Sequence, residues 1–83
     1  MNTKSILKEI KFVIATLSSP TMYLYKKPGK YEYEFFKRIN KALYTQDREV
    51  AKMLLNEYKQ ITNDNIDLVV IPVCIEYALV DES

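Results

Sequence analysis

The chain has 83 residues, a formal net charge of +1, one cysteine, one glycine and no histidine. These counts exclude an intramolecular disulfide, a structural zinc site of cysteine and histidine ligands, and any glycine-rich phosphate-binding loop. A chain of this length is typical of a single domain, predicted here over residues 1–83. We therefore expect no metal, no cofactor and a small core that self-association would supplement.

The first predicted element is a helix over residues 5–18. Apolar residues recur there at helical spacing, and Pro20 ends the pattern. The apolar stripe consists of Ile6, Leu7, Ile10, Val13, Ile14 and Leu17. Because Phe12 falls outside this stripe, we expect it to be an exposed aromatic residue that a partner could contact.

Residues 21–35 predict a β-hairpin. Two arms with aromatic residues at alternate positions flank Lys27-Pro28-Gly29, the strongest turn signal in the chain. Aromatic residues at every second position are typical of half-buried strands. The alternative is an irregular loop that leads into a helix beginning near Tyr31.

Two further helices are predicted after the hairpin. Residues 36–44 return to helical spacing, and a longer amphipathic stretch follows to about Gln60. Thr45 is the predicted N-cap of the longer helix, since the acidic residues just after it suit a first helical turn. The sequence therefore predicts a helical pair in this region.

The C-terminal segment, residues 66–80, fits either a strand or a helix. It is rich in β-branched residues and contains Pro72, which an edge strand tolerates and a helix interior does not. A strand here would also give the hairpin the third strand that it needs for stability. The predicted fold class is thus α+β, with an N-terminal helix, a Tyr-rich β-hairpin, a helical pair and a C-terminal strand completing a small antiparallel sheet. An all-α four-helix bundle is the alternative.

The side chains that most enzymes rely on are missing. Without histidine the commonest general base is absent, and Cys74 between Val73 and Ile75 is predicted to be buried and unreactive. We therefore expect the protein not to be an enzyme. No apolar run has the length that a secretory signal or a membrane span needs, so we expect a cytoplasmic protein that contacts no membrane.

Charge is unevenly distributed along the chain. Residues 1–44 contain nine basic and three acidic residues, a net of +6, whereas residues 45–83 contain three and eight, a net of −5. The two halves can neutralise each other within one fold, the basic half can meet an acidic partner, or two copies can associate. Cations mixed with tyrosines are typical of single-stranded nucleic-acid and nucleotide sites, and tyrosines are also common in protein interfaces.

These patterns predict a small non-catalytic binding protein of the inhibitor, immunity or regulatory type, which acts by protein–protein contact and forms a homo-oligomer. The alternative is a nucleic-acid or nucleotide-binding protein that uses the Lys/Tyr-rich hairpin and the adjacent basic helix. The candidate partner-binding residues are Phe12, Tyr23, Tyr25, Lys26, Lys27, Lys30, Tyr31, Tyr33, Lys37, Arg38 and Lys41.

Overall fold

The computed structural model describes residues 2–63 and 65–81. The elements are β1 (Asn2–Thr16), β2 (Tyr23–Lys26), β3 (Tyr33–Phe36), a short 3-10 turn (Ile39–Lys41), α1 (Arg48–Thr62) and β4 (Leu68–Asp81). The four strands form one antiparallel sheet in the order β3-β2-β1-β4. With a single α-helix in the described part of the chain, the protein is α+β.

The core lies between α1 and the sheet. It consists of Ile14, Leu24, Ala51, Tyr58 and Leu68. The ring of Tyr58 on α1 meets the rings of Tyr33 and Phe35 on β3 edge to face, with centroids 5.2 and 5.5 Å apart. Such contacts add to the energy of apolar burial. They supplement the packing of α1 on β1 and β4, which contribute Ile14 and Leu68 to the core.

The predicted N-terminal helix is wrong, because this segment is the strand β1. Its register places Phe12 opposite Pro72 and Ile14 opposite Val70. In a strand, Phe12 and Ile14 project to the same face, and both contact the core there. The helical spacing of the segment is real, but pairing with the β-branched β4 overrides it.

The predicted helical pair is also wrong, and the four-helix bundle with it. Phe36 is the last residue of β3, and residues 37–44 contain only the 3-10 turn, because the backbone after that turn bonds to the sheet. The Leu43 amide donates to the Leu24 carbonyl at 3.0 Å, and Phe12 and Thr45 exchange two hydrogen bonds of 2.8 and 2.9 Å. Thr45 is therefore not a helix cap, and α1 begins after Asp47 instead.

The hairpin and the C-terminal strand are present as β2, β3 and β4, but β1 and β4 extend far beyond the other strands. They pair from Thr16 and Leu68 to the far end of both strands, whereas β2 pairs with β1 only at Ala15. We call residues 2–11 with residues 73–81 the ribbon, and the remainder the body. The molecule measures 53 × 27 × 19 Å. Its radius of gyration is 15.3 Å, against roughly 12 Å for a compact chain of this length.

Candidate functional site

Polar and aromatic side chains converge where the hairpin meets α1. Lys26 of β2 and Tyr33 of β3 are opposite each other in the register, so both project to the face that α1 covers. The Lys26 ammonium nitrogen lies 2.9 Å from Oε1 of Glu57 on α1. The Tyr33 hydroxyl donates a hydrogen bond to the same oxygen. We call Lys26, Tyr31, Tyr33 and Glu57 the hairpin corner.

In the hairpin corner, the pKa values of Glu57 and Tyr33 are both displaced away from neutral pH. Hydrogen bonds from Tyr33 and then from Lys26 hold the pKa of Glu57 below its ordinary value. Burial, followed by the hydrogen bond to Glu57, raises the pKa of Tyr33 above its ordinary range. A general acid or base needs a pKa near the working pH. The geometry therefore indicates a fixed structural contact between hairpin and helix.

Tyr31 gives the hairpin corner its exposed surface. Its ring is 72% exposed, and the Lys26 ammonium lies 5.0 Å from the ring centroid. An open groove beside it is lined by Tyr31, Glu57, Gln60 and Ile61. Because Glu57 already neutralises Lys26, this groove is a poor site for an anion.

The other aromatic residues predicted in the binding surface mostly serve the fold. The Tyr25 ring contacts Phe36 edge to face at 6.1 Å, and Tyr23 is half-buried opposite the same phenylalanine. Phe12 is half-buried against the core, with the Arg48 guanidinium 4.9 Å from its ring centroid. Phe12 is thus not the exposed residue expected, because a strand directs it inward.

The predicted cations divide into two groups. Lys26 is paired with Glu57, and Lys27 lies 3.2 Å from Glu32, so a carboxylate neutralises the charge of each lysine. The second group is exposed and has no acidic partner among the described residues; it consists of Lys30, Lys37, Arg38 and Lys41. Lys30 lies in the turn between β2 and β3, and Lys37, Arg38 and Lys41 lie in the loop and 3-10 turn that replace the predicted basic helix.

The ribbon is a surface that the sequence did not indicate. Leu7 is 57% and Ile10 is 59% exposed, while Tyr77 is 44% and Leu79 is 55% exposed. Tyr77 lies opposite Leu7 and Cys74 lies opposite Ile10, so both faces of the ribbon carry exposed apolar residues. Cys74 itself is exposed, which corrects the expectation of a buried thiol.

The charged side chains that the structure describes on the ribbon are paired with one another. The Lys8 ammonium lies 3.6 Å from Glu76 across the two strands, and the Lys11 ammonium lies 3.6 Å from Glu9 along β1. The pair of Lys8 with Glu76 joins the basic half of the chain to the acidic half, and so does the pair of Lys26 with Glu57. Part of the uneven charge is therefore neutralised within the fold.

No protein-family model, curated protein or solved structure matches the chain. In the part of the chain that the structure describes, no helix has both the length and the apolar character needed to cross a membrane. No three His, Cys, Asp or Glu side chains converge there as metal ligands would. The functional argument therefore rests on the surfaces of the molecule.

Proposed function

We propose that this chain is a small non-catalytic binding protein of the inhibitor, immunity or regulatory type, which acts in the cytoplasm by protein–protein contact and self-associates. The ribbon is the observation that carries the proposal. A two-stranded ribbon without a third strand or a covering helix is only marginally stable in water. Its exposed apolar residues are typical of a surface that another protein covers.

The charges of the ribbon favour a protein over a polyanion as the partner. The ion pairs of Lys8 with Glu76 and of Lys11 with Glu9 leave this part of the molecule without a free cation among the residues whose side chains are described. Exposed leucine, isoleucine and tyrosine next to neutralised charges resemble the composition of a protein interface.

Sedimentation velocity over a range of micromolar concentrations tests this proposal. We expect the wild type to form an oligomer and the double variant Leu7→Lys/Leu79→Lys to shift toward the monomer. Met53→Lys is the control, because Met53 is an apolar residue that is more exposed, at 69%, than Leu7 or Leu79 but lies on α1. A wild type that stays monomeric, and that captures the same proteins from lysate as the ribbon variant does, would contradict the proposal.

Nucleic-acid or nucleotide binding is the second candidate function. It is favoured by Lys30, Lys37, Arg38 and Lys41, which have no acidic partner among the described residues, and by the exposed ring of Tyr31. Unpaired cations bind phosphates and an exposed ring can stack on a base. Lys26 and Lys27 are less suited to this role, because carboxylates already neutralise them.

Fluorescence anisotropy with single-stranded DNA and RNA at increasing salt tests the second candidate. Binding through phosphates should weaken steeply with salt, and Lys37→Glu/Arg38→Glu/Lys41→Glu should abolish it. Lys52→Glu is the control, because it reverses an exposed cation on α1 that is already paired with Glu49. Equal binding by both variants, or no binding at low salt, would remove this candidate.

A further inference from the structure

Hydrogen bonds around β1 show which of its residues face each edge. Alternate residues of a strand direct their backbone groups to opposite edges. Phe12 exchanges its two bonds with Thr45, and the Thr16 amide donates to the Met22 carbonyl at 2.9 Å. The Leu17 amide instead donates to the Asp67 carbonyl at 3.0 Å, on the β4 side. From Ser5 to Thr16, even-numbered residues of β1 therefore face away from β4, and odd-numbered residues face toward it.

The odd-numbered residues of β4 pair with odd-numbered residues of β1 from Ser5 to Thr16. Their backbone groups therefore face β1, and those of the even-numbered residues face the other way. The backbone groups of Cys74, Glu76 and Ala78 therefore point away from β1. They form the outer edge of the sheet, and no strand in the described part of the chain pairs with it. Pro72 faces the same way and has no amide hydrogen, so it ends the row of free donors on the side of the body.

We propose that the β4 strands of two copies pair edge to edge and antiparallel, with the two-fold axis at Tyr77, so that two sheets join into one. This inference rests on the self-association in the proposed function and names the surface that produces it. The occupant of the free edge is a second copy of this chain. Pairing of a strand to an exposed sheet edge is an established mode of association.

The position of the axis follows from the free part of β4. This part extends from Val73 to Asp81, and Tyr77 is its midpoint. An axis at Tyr77 therefore pairs all of it and leaves Pro72 outside the ladder. An axis at Ile75 or Cys74 would place Pro72 opposite a residue that needs its missing donor. An axis at Glu76 would place two carboxylates opposite each other, which is destabilising.

The Tyr77 register also complements the side chains of the ribbon. Tyr77 meets Tyr77 of the second copy at the axis, and Ile75 lies beside Leu79 of the second copy. Since Leu7 is opposite Tyr77 within each copy, a row of four apolar residues crosses the joined sheet. Glu76 lies opposite Ala78 of the second copy, so its ion pair with Lys8 remains. This self-complementary pattern points to a second copy as the partner.

The outer edge of β1 is less suited to the same role. Thr45 is already bonded to Phe12 on that edge, and Gln46 and Asp47 lie beside residues 9–11. A second strand approaching there would meet these residues before it reached the free amides. The edge of β4 has no such obstruction among the described residues.

Cysteine cross-linking distinguishes this arrangement from other dimers. In the Cys74→Ser background, Tyr77→Cys places two thiols opposite each other in a pair without backbone hydrogen bonds, where α-carbons are about 4.5 Å apart, within reach of a disulfide. Leu79→Cys is the matched control on the same face, with its symmetry mate about 14 Å away at ~3.4 Å per residue. The native Cys74 thiols would be about 20 Å apart by the same spacing.

We expect mild oxidation to convert most of the Tyr77→Cys variant into a covalent dimer on a non-reducing gel, while Leu79→Cys and the wild type remain largely monomeric on it. Circular dichroism confirms that each variant is folded before oxidation.

Equal cross-linking of both variants, or a disulfide through Cys74 in the wild type, would overturn the register. A wild type that sediments as a dimer while Tyr77→Cys stays uncross-linked would overturn the arrangement and leave the proposed function standing. A monomeric wild type would overturn the inference and the self-association together.

Discussion

The strands β1 and β4 run through both the body and the ribbon, yet their side chains are in very different surroundings in the two regions. In the body, Val13 is fully buried and Ile14 is 3% exposed, whereas Leu7 and Ile10 of the same strand are more than half exposed. The residue types are similar. What differs is the cover: in the body, α1 packs on the face of the strands that carries Ile14, and the cluster formed there does not include Leu7 or Ile10.

This difference teaches that the apolar content of a strand does not determine its burial. Fully burying a leucine or isoleucine stabilises a protein by about 1.5–3 kcal/mol. Leu7, Ile10 and Leu79 leave much of that energy unrealised in the single chain. A second copy paired along β4 would recover part of it at Leu79, which lies beside Ile75 of that copy in the proposed register.

Truncating one leucine in each region should give the largest difference in the free energy of unfolding. Leu24 is 1% exposed in the core, so Leu24→Ala is expected to lower the free energy of unfolding by about 2–5 kcal/mol. Leu7→Ala removes an exposed side chain and should change it by less than about 0.5 kcal/mol in the monomer. Urea denaturation at low protein concentration measures both values. Equal losses would show that the ribbon is packed as tightly as the body.

Replacing Ala78 with proline should weaken the association of two copies while leaving the fold of each copy intact. The Ala78 amide faces the free edge, so Ala78→Pro leaves the bonds between β1 and β4 intact but removes two bonds from the proposed dimer. At about 0.5–1.5 kcal/mol each, the loss should weaken dimerisation by about 1–3 kcal/mol. Sedimentation velocity measures the change, and Ala78→Ser, which keeps the amide, is the control. Unchanged dimerisation of Ala78→Pro would contradict pairing along this edge.

The elements that were predicted correctly from the sequence have strong local signals. The turn at Lys27-Pro28-Gly29 and its alternating aromatic residues indicated the hairpin, and Gly29 adopts the positive φ of 71° that favours glycine. Pro72 with its β-branched neighbours indicated an edge strand. The amphipathic pattern after Asp47 indicated α1, although its N-cap is Asp47, two residues after the predicted cap at Thr45.

The errors share one cause, which is that the deciding contacts are distant in the chain. Ile6, Ile10, Val13 and Ile14 satisfy helical spacing, and only the presence of β4 favours the strand. Glu57 lies 31 residues from Lys26, so no local spacing connects the members of the hairpin corner. The periodicity of β1 and β4 does not indicate which part of each strand another element covers. The exposure of the ribbon therefore could not be predicted from these two segments.

A smaller effect is expected at the hairpin corner, where Lys26 and Tyr33 of the hairpin contact Glu57 of α1. Because the pKa of Glu57 is lower in the folded state, its contribution to stability is present above about pH 4.5 and is lost as the pH falls through the lowered value. Glu57→Gln should therefore lower the free energy of unfolding at neutral pH, and the difference from the wild type should shrink in acid. Glu49→Gln is the control, since Glu49 is an exposed helix residue in a weak pair with Lys52. Parallel pH profiles for the wild type and Glu57→Gln would contradict this role.

The smallest effect should be one step in the alkaline titration of the tyrosines. Burial and the hydrogen bond to Glu57 raise the pKa of Tyr33, so its phenolate should form later than an ordinary tyrosine titrates. The corresponding contribution to stability is present below about pH 10 and is lost as the pH rises toward the raised pKa. In the phenolate absorbance, Tyr33→Phe should remove the late step, and Glu57→Gln should move it to lower pH because the carboxylate that opposes ionisation is gone. Identical alkaline titrations of the wild type and Tyr33→Phe would contradict the raised pKa of Tyr33, and an unchanged step in Glu57→Gln would contradict its hydrogen bond to Glu57.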